Sequence, residues 1–296
     1  MFNKRNKAKK WVKKQLKKDN AKLVPVNCDE VLHEADRKAL DGLKKLPLFD
    51  KVCSGFIAAF NEPFHNIEDM SSKIRISDKQ LPRVYKMTEN ICAKLGIDMS
   101  KLYLELNRQP NACTYGNETA TITITSGLLE CMEDDELYAV LAHECGHIAC
   151  KHLLYHTMGT VILDGGVLGI RFLDSGLIGK AITAPLKWAF YNWMRSSELS
   201  ADRAAAVCCE AGAPVVETMM RLAGGTTHID EEIKKDLFIQ QAVEYKELVD
   251  EKALSKAMEF LMHHNDTHPL LAVRAAEIDK WSKTEEFQKI IKTMNG

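Results

Sequence analysis

His143 and His147 stand four positions apart in the run Leu141-Ala-His143-Glu144-Cys-Gly-His147. On a helix this spacing places both imidazoles on one face, one turn apart, where they can hold a single metal ion. Glu144 directly follows the first histidine, so it can reach a water on that metal without ligating it. Zinc-dependent hydrolysis needs three protein ligands, an open position for water and a base beside it.

The third ligand follows by elimination. One known arrangement puts a histidine six residues after the second histidine and a glycine three after it, but here those positions hold Leu153 and Cys150. His152 and His156 fall five and nine residues after His147, off the ligand face, and read as helix-surface or core residues. A carboxylate from a second helix is the other solution. The run Arg195-Ser-Ser-Glu198-Leu-Ser-Ala-Asp202-Arg offers Glu198 and Asp202 at i and i+4. Glu198 can close the site. Asp202, one turn on, can accept the outer ring N–H of a ligand histidine and fix its tautomer. Ala201, Ala204 and Ala205 are small and let this helix pack close to the metal helix. Cys145 and Cys150 flank His147 without sharing its ligand face and read as small apolar residues.

These side chains need helices and a small sheet to position them. The hydrophobic spacing predicts a helix over 134–157 with acids in its first turn, where the helix dipole favours them. A second runs over 186–210 and stops at Gly212 and Pro214. Upstream, helices are expected from Asp29 to about Leu40, over Val52–Phe60, and over Leu81–Leu95 closed by Gly96. Downstream, they are expected over 215–223, 231–247, 251–263 and 270–293. Leu102-Tyr-Leu-Glu-Leu alternates as a strand does, and Thr119-Ala-Thr-Ile-Thr-Ile-Thr is β-branched throughout its second half. Pro110–Gly116 reads as a turn into an extended piece. The expectation is a mostly α-helical α+β fold with a two- to three-stranded sheet packed on helices. No internal repeat or linker divides the chain, so residues 21–296 read as one domain.

Composition narrows the function. The chain has 296 residues, is 46% hydrophobic and carries 40 basic against 41 acidic residues, which excludes a disordered chain and a whole-chain polybasic nucleic-acid binder. The near-neutral total hides an arm. Residues 1–20 hold nine Lys/Arg against Asp19, a net +8, which leaves −9 on the rest. The arm reads as a solvated basic segment, with contact to an anionic membrane or partner surface as the alternative. Nine cysteines, an odd number without a CxxC pair, favour a reducing, cytoplasmic setting. The least polar region, 152–194, is cut by charges, and its longest uncharged stretch is the twelve residues His152–Leu163. A spanning helix needs about 20 apolar residues.

With these motifs the chain resembles the gluzincin metallopeptidases of the HtpX-like and CaaX-prenyl-endopeptidase family. The resemblance rests on His143-Glu-Cys-Gly-His147, Arg195-Ser-Ser-Glu198-Leu-Ser-Ala-Asp202, Pro110-Asn-Ala112, and Thr267-His268-Pro269 followed by Arg274, in the family's order. It spans roughly 105–275, with weaker similarity to soluble members from about Asp36 to Trp281, including Phe238–Tyr245. It implies a zincin-like core and one Zn²⁺ per chain on His143, His147 and Glu198. Glu144 would be the general base and Asp202 a support for the metal site. Asn111 and Ala112 would mark the edge strand on which a substrate peptide lies antiparallel. His268 would approach the metal, stabilising the oxyanion or blocking the water site, and Arg274 would pair with a site carboxylate. Met194 replaces a serine common in the family, and the membrane-embedding helices of many relatives are missing or interrupted. The expected activity is zinc endopeptidase action on peptides or unfolded proteins, at the cytoplasm or peripherally at the inner membrane face. The alternative is a latent or chaperone-like peptide-binding module whose zinc site His268 closes.

Overall fold

The computed structural model describes residues 2–17, 22–45, 54, 62–116, 119–157, 179–225, 232–250 and 270–296. Its helices are α1 (Phe2–Gln15), α2 (Cys28–Val31), α3 (Glu34–Lys44), α4 (Glu62–Ser72), α5 (Pro82–Leu95), α6 (Ser126–Cys131), α7 (Asp134–Ala149), α8 (Gly179–Cys209), α9 (Ala213–Ala223), α10 (Lys235–Asp250), α11 (Leu271–Trp281) and α12 (Glu285–Asn295). Its strands are β1 (Ile74–Ile76), β2 (Lys101–Glu105), β3 (Ala112–Tyr115) and β4 (Thr121–Thr125). This is the mostly helical α+β fold expected. The expected helices over Val52–Phe60 (Ser54 apart) and 251–263 lie outside the described residues.

The sheet has one strand more than the sequence suggested, in the order β1-β2-β4-β3. Ile74-Arg-Ile is too short to show a period, and it becomes a strand by pairing antiparallel with Leu102–Leu104. Strands β2 and β4 run parallel, and β3 pairs antiparallel with β4, Ala112 facing Ile124 and Thr114 facing Ile122. Strand β3 is therefore an edge of this sheet. It lies against α7.

Helix α7 is the centre of the molecule. A capping box starts it: the Glu133 side chain accepts from the backbone N–H of Glu136, and the Glu136 side chain from that of Glu133. Asp134, Asp135 and Glu136 lie in the first turn, at the positive end of the dipole. Arg221 of α9 grips Glu136 with Nη2–Oε1 at 3.1 Å and Nε–Oε2 at 3.2 Å, fixing that end to the neighbouring helix. Every residue from Glu136 to His147 is buried. Helices α1, α5, α8 and α9 and strand β3 pack around it.

Several boundaries differ from the expectation for local reasons. Helix α7 ends at Ala149. Lys151 adopts a left-handed φ of 58°, which turns the chain at Cys150–His152 before a short helical segment over 153–157. The stretch 270–293 breaks at Ser282–Thr284, where Thr284 caps α12 by accepting from the Phe287 N–H. His33 caps α3 in the same way through Ala35 N–H, so the first expected helix becomes two, α2 and α3. The basic arm is not freely solvated. Ala8, Val12 and Gln15 of α1 are buried, and the Trp11 ring stands edge-on to Tyr138 of α7 at 5.4 Å. The buried Lys94 ammonium of α5 bonds Gln15 Oε1 at 2.9 Å and the Cys208 carbonyl at 2.6 Å, joining α1 to the end of α8.

Candidate metal centre

Helices α7 and α8 meet at Gly146. A Cβ there would lie 2.9 Å from the Ala204 Cβ and 3.0 Å from the Ala201 carbonyl oxygen, closer than packing tolerates. Glycine on one helix and alanines on the other thus allow the approach that brings Glu198 to the histidines. His143 Nε2 and His147 Nε2 are 3.2 Å apart. Glu198 Oε1 is 3.2 Å from His147 Nε2, and Oε2 is 3.5 Å from His143 Nε2.

Three donors at these separations fit a metal. A tetrahedral ion with bonds of about 2.0–2.1 Å places its ligands about 3.3 Å apart, which all three edges approach. Two imidazoles and one carboxylate are also a donor set that suits zinc. Among the described residues this is the cluster of histidine, cysteine and acidic side chains that could hold an ion. All three side chains are buried.

The surrounding charges orient the donors. Asp202 Oδ1 lies 2.9 Å from His143 Nδ1, so the carboxylate accepts that ring proton and turns Nε2 inward. Arg274 of α11 spans both carboxylates: Nε donates to Asp202 Oδ2 at 2.7 Å, Nη2 to Oδ1 at 2.6 Å, and Nη1 lies 2.7 Å from Glu198 Oε2. Burial pushes the Asp202 carboxyl up, but Arg274 and His143 outweigh it and hold the group below its ordinary range. Burial likewise opposes charge on His143, yet Glu198 and Asp202 push it up to about 10. His147 falls to about 3, because burial and the neighbouring His143 and His152 outweigh its attraction to Glu198.

Glu144 points from α7 toward β3. Thr114 Oγ1 donates to its Oε2 at 2.5 Å. A cleft of about 850 Å³ opens beside it, lined by Asn111 and Ala112, by Val140 and His143 of α7, and by Met219 and Tyr245 on other helices.

Residues 78–282 match Peptidase family M48. The chain belongs to peptidase family M48. This M48 chain is 28% identical over 276 residues to "Plastoglobule-localized metallopeptidase 48, chloroplastic" of Arabidopsis thaliana, covering 91% of this chain and 77% of that protein. It is 38% identical over 121 residues to the "Protease HtpX homolog" of Tropheryma whipplei (strain Twist), covering 40% of this chain and 38% of the homologue. To that of Sulfurihydrogenibium sp. (strain YO3AOP1) it is 33% identical over 94 residues, 31% of each chain. The M48 chain thus spans about a third of the length of these HtpX homologues. No solved structure matches it. The protein is a metalloprotease.

In this M48 site the structure brings together His143, Glu144, His147, Glu198, Asp202 and Arg274, and it sets Asn111 and Ala112 on the cleft wall. His268 lies outside the described residues. Three contributors escaped the sequence reading. Thr114 lies on β3 two residues past the Pro110-Asn-Ala112 motif, and no spacing ties it to Glu144. Gly146 sat inside the motif without a stated role. His152, read as helix surface or core, is a fully buried core residue, and what the reading missed is its contact with His147: the two Nδ1 atoms are 3.0 Å apart. The turn at Lys151 swings it back to His147, and no helical spacing could have shown that. No helix among the described residues is long and apolar enough to cross a membrane.

Proposed function

We propose that this metalloprotease is a zinc endopeptidase in which Glu144 is the general base. The observation that carries the reading is the position of Glu144. It lies one residue from a ligand, is held by Thr114, and faces a cleft walled by an edge strand. Bound at His143, His147 and Glu198, zinc would polarise the scissile carbonyl and make water acidic near neutral pH. A substrate backbone extends antiparallel along β3, so Asn111 and Ala112 hold it mainly through main-chain hydrogen bonds. Such binding reads backbone more than sequence and suits unfolded chains. Glu144 takes the proton of the attacking water at Oε1, the oxygen Thr114 does not hold, and delivers it to the leaving amine. Arg274 and Asp202 keep His143 and Glu198 aimed while the charge changes.

Metal analysis beside a casein-cleavage assay tests this. Glu144→Gln should keep its zinc and lose about 10²–10⁴ in rate. Cleavage equal to wild type overturns the mechanism.

Residues 21–296 act in this reading as one metallopeptidase domain, in a reducing cytoplasmic setting that suits nine thiols. The arm adds peripheral contact with anionic lipid. Lys7, Lys9, Lys10, Lys13, Lys14 and Lys17 are exposed on a helix whose other face is docked. The Arabidopsis relative's name describes that protein as plastoglobule-localized. Co-sedimentation with phosphatidylserine vesicles should fall when these lysines become glutamine, and unchanged binding removes the idea.

A further inference from the structure

Asp36 on α3 and His152 after α7 have no part in the mechanism above, and Asp36 lies outside the family-matched residues 78–282. Both side chains are 0% exposed. His147 turns Nε2 toward Glu198 and His143. A ring that offers its Nε2 lone pair to a metal carries its proton on Nδ1. That Nδ1 lies 3.0 Å from His152 Nδ1. One nitrogen of such a pair must donate and the other accept, so His152 Nδ1 is bare and its proton sits on Nε2. His152 Nε2 in turn lies 2.9 Å from Asp36 Oδ2. The same oxygen accepts from Ser200 Oγ at 2.6 Å, and Asp36 Oδ1 accepts from Trp193 Nε1 at 3.0 Å. Ser200 Oγ also receives the His33 backbone N–H at 2.9 Å, which orients its own proton toward Asp36. Every partner of Asp36 is a donor, as an ionised carboxylate requires. One arrangement of protons satisfies the whole chain of groups.

We infer that His152 and Asp36 are positioning residues that fix the tautomer and ring plane of His147 for the metal. Asp202 does this for His143 in one step; His147 is served in two, from a helix upstream of the family-matched region. The inference rests on the zinc reading above. A ligand histidine whose outer N–H lacks an acceptor is free to rotate or to move its proton onto the metal-facing nitrogen. A purely structural network tying α3 to α8 would share the contacts but not this dependence on an acceptor.

The test measures zinc affinity of the full chain by competition with a chromophoric chelator, with urea unfolding alongside. His152→Leu fills the space without an acceptor. His152→Asn places a carbonyl oxygen close to the position of Nδ1. We expect the Leu variant to bind zinc about 10–100-fold more weakly and the Asn variant, which keeps the acceptor for His147 but loses Asp36 behind it, to fall between the Leu variant and wild type. Wild-type affinity in the Leu variant overturns the relay, as does an equal loss in both. Should the Leu variant not fold, ¹⁵N-histidine NMR of the zinc-loaded wild type decides. A His152 proton on Nε2 alone supports the relay, and one on Nδ1 overturns it. A wild-type chain that takes up no zinc overturns the metal reading itself, and the relay with it.

Discussion

Thr114 is the residue whose removal tests positioning without touching the metal. Its hydroxyl holds one oxygen of Glu144 from strand β3, which packs on α7. Thr114→Val keeps the shape and removes the donor, at a cost of about 1–3 kcal/mol for a hydrogen bond to a charged group. We expect kcat to fall about 10–100-fold with zinc content and KM unchanged, read by steady-state kinetics on a fluorogenic peptide. Arg274 bears on stability instead. Arg274→Met leaves Asp202 and Glu198 buried without their counter-charge. Urea unfolding should show a loss of about 3–5 kcal/mol. His143 yields a proton count. Its ring, held at about 10 by Glu198 and Asp202 against burial, is charged at pH 7 in chelator-stripped protein. A metal needs it neutral, so zinc uptake should release about one proton per chain, measured by calorimetry in buffers of different ionisation enthalpy. The linkage has a definite sign. A raised folded value stabilises fully below the ordinary histidine value and loses that stabilisation as pH rises toward about 10. Stripped protein should therefore weaken over that window.

At the scale of elements, the contact between α7 and α8 sets how His143, His147 and Glu198 converge. Gly146→Ala adds one methyl group against the Ala201 backbone and the Ala204 side chain, so α8 must retreat and carry Glu198 with it. Zinc affinity should drop while helix content by circular dichroism stays the same. The two helices and their chemistry were legible because each motif is local: i and i+4 histidines on one helix, Glu198 and Asp202 on the other. Strand β3 was legible as an extended piece, and its edge position was expected from the family resemblance. What escaped depends on tertiary closure. The turn at Lys151 converts an apparent helical continuation into a return path, and that return makes His152 a partner of His147. Asp36 stands 116 residues from His152, and Thr114 stands 30 from Glu144. No periodicity connects positions so distant. Strand β1 is three residues long and exists through its pairing with β2.

At the scale of the whole molecule, the basic arm proves to be part of the packing around α7. Its charge pattern hid this, because Trp11, Val12 and Leu16 are few among nine cations. Trp11→Ala should cost about 2 kcal/mol of stability with zinc affinity unchanged, read by urea unfolding. The burial of α7 on every side has a kinetic consequence as well. From Glu136 to His147 every residue of that helix is buried, and Val140, His143 and Glu144 meet solvent only at the cleft. Its amides should therefore exchange with deuterium only through the rarest and largest openings of the protein. Fraying of a helix end cannot uncover His143 and His147, so an ion held there should enter and leave through the cleft beside His143 and Glu144 while α7 stays folded.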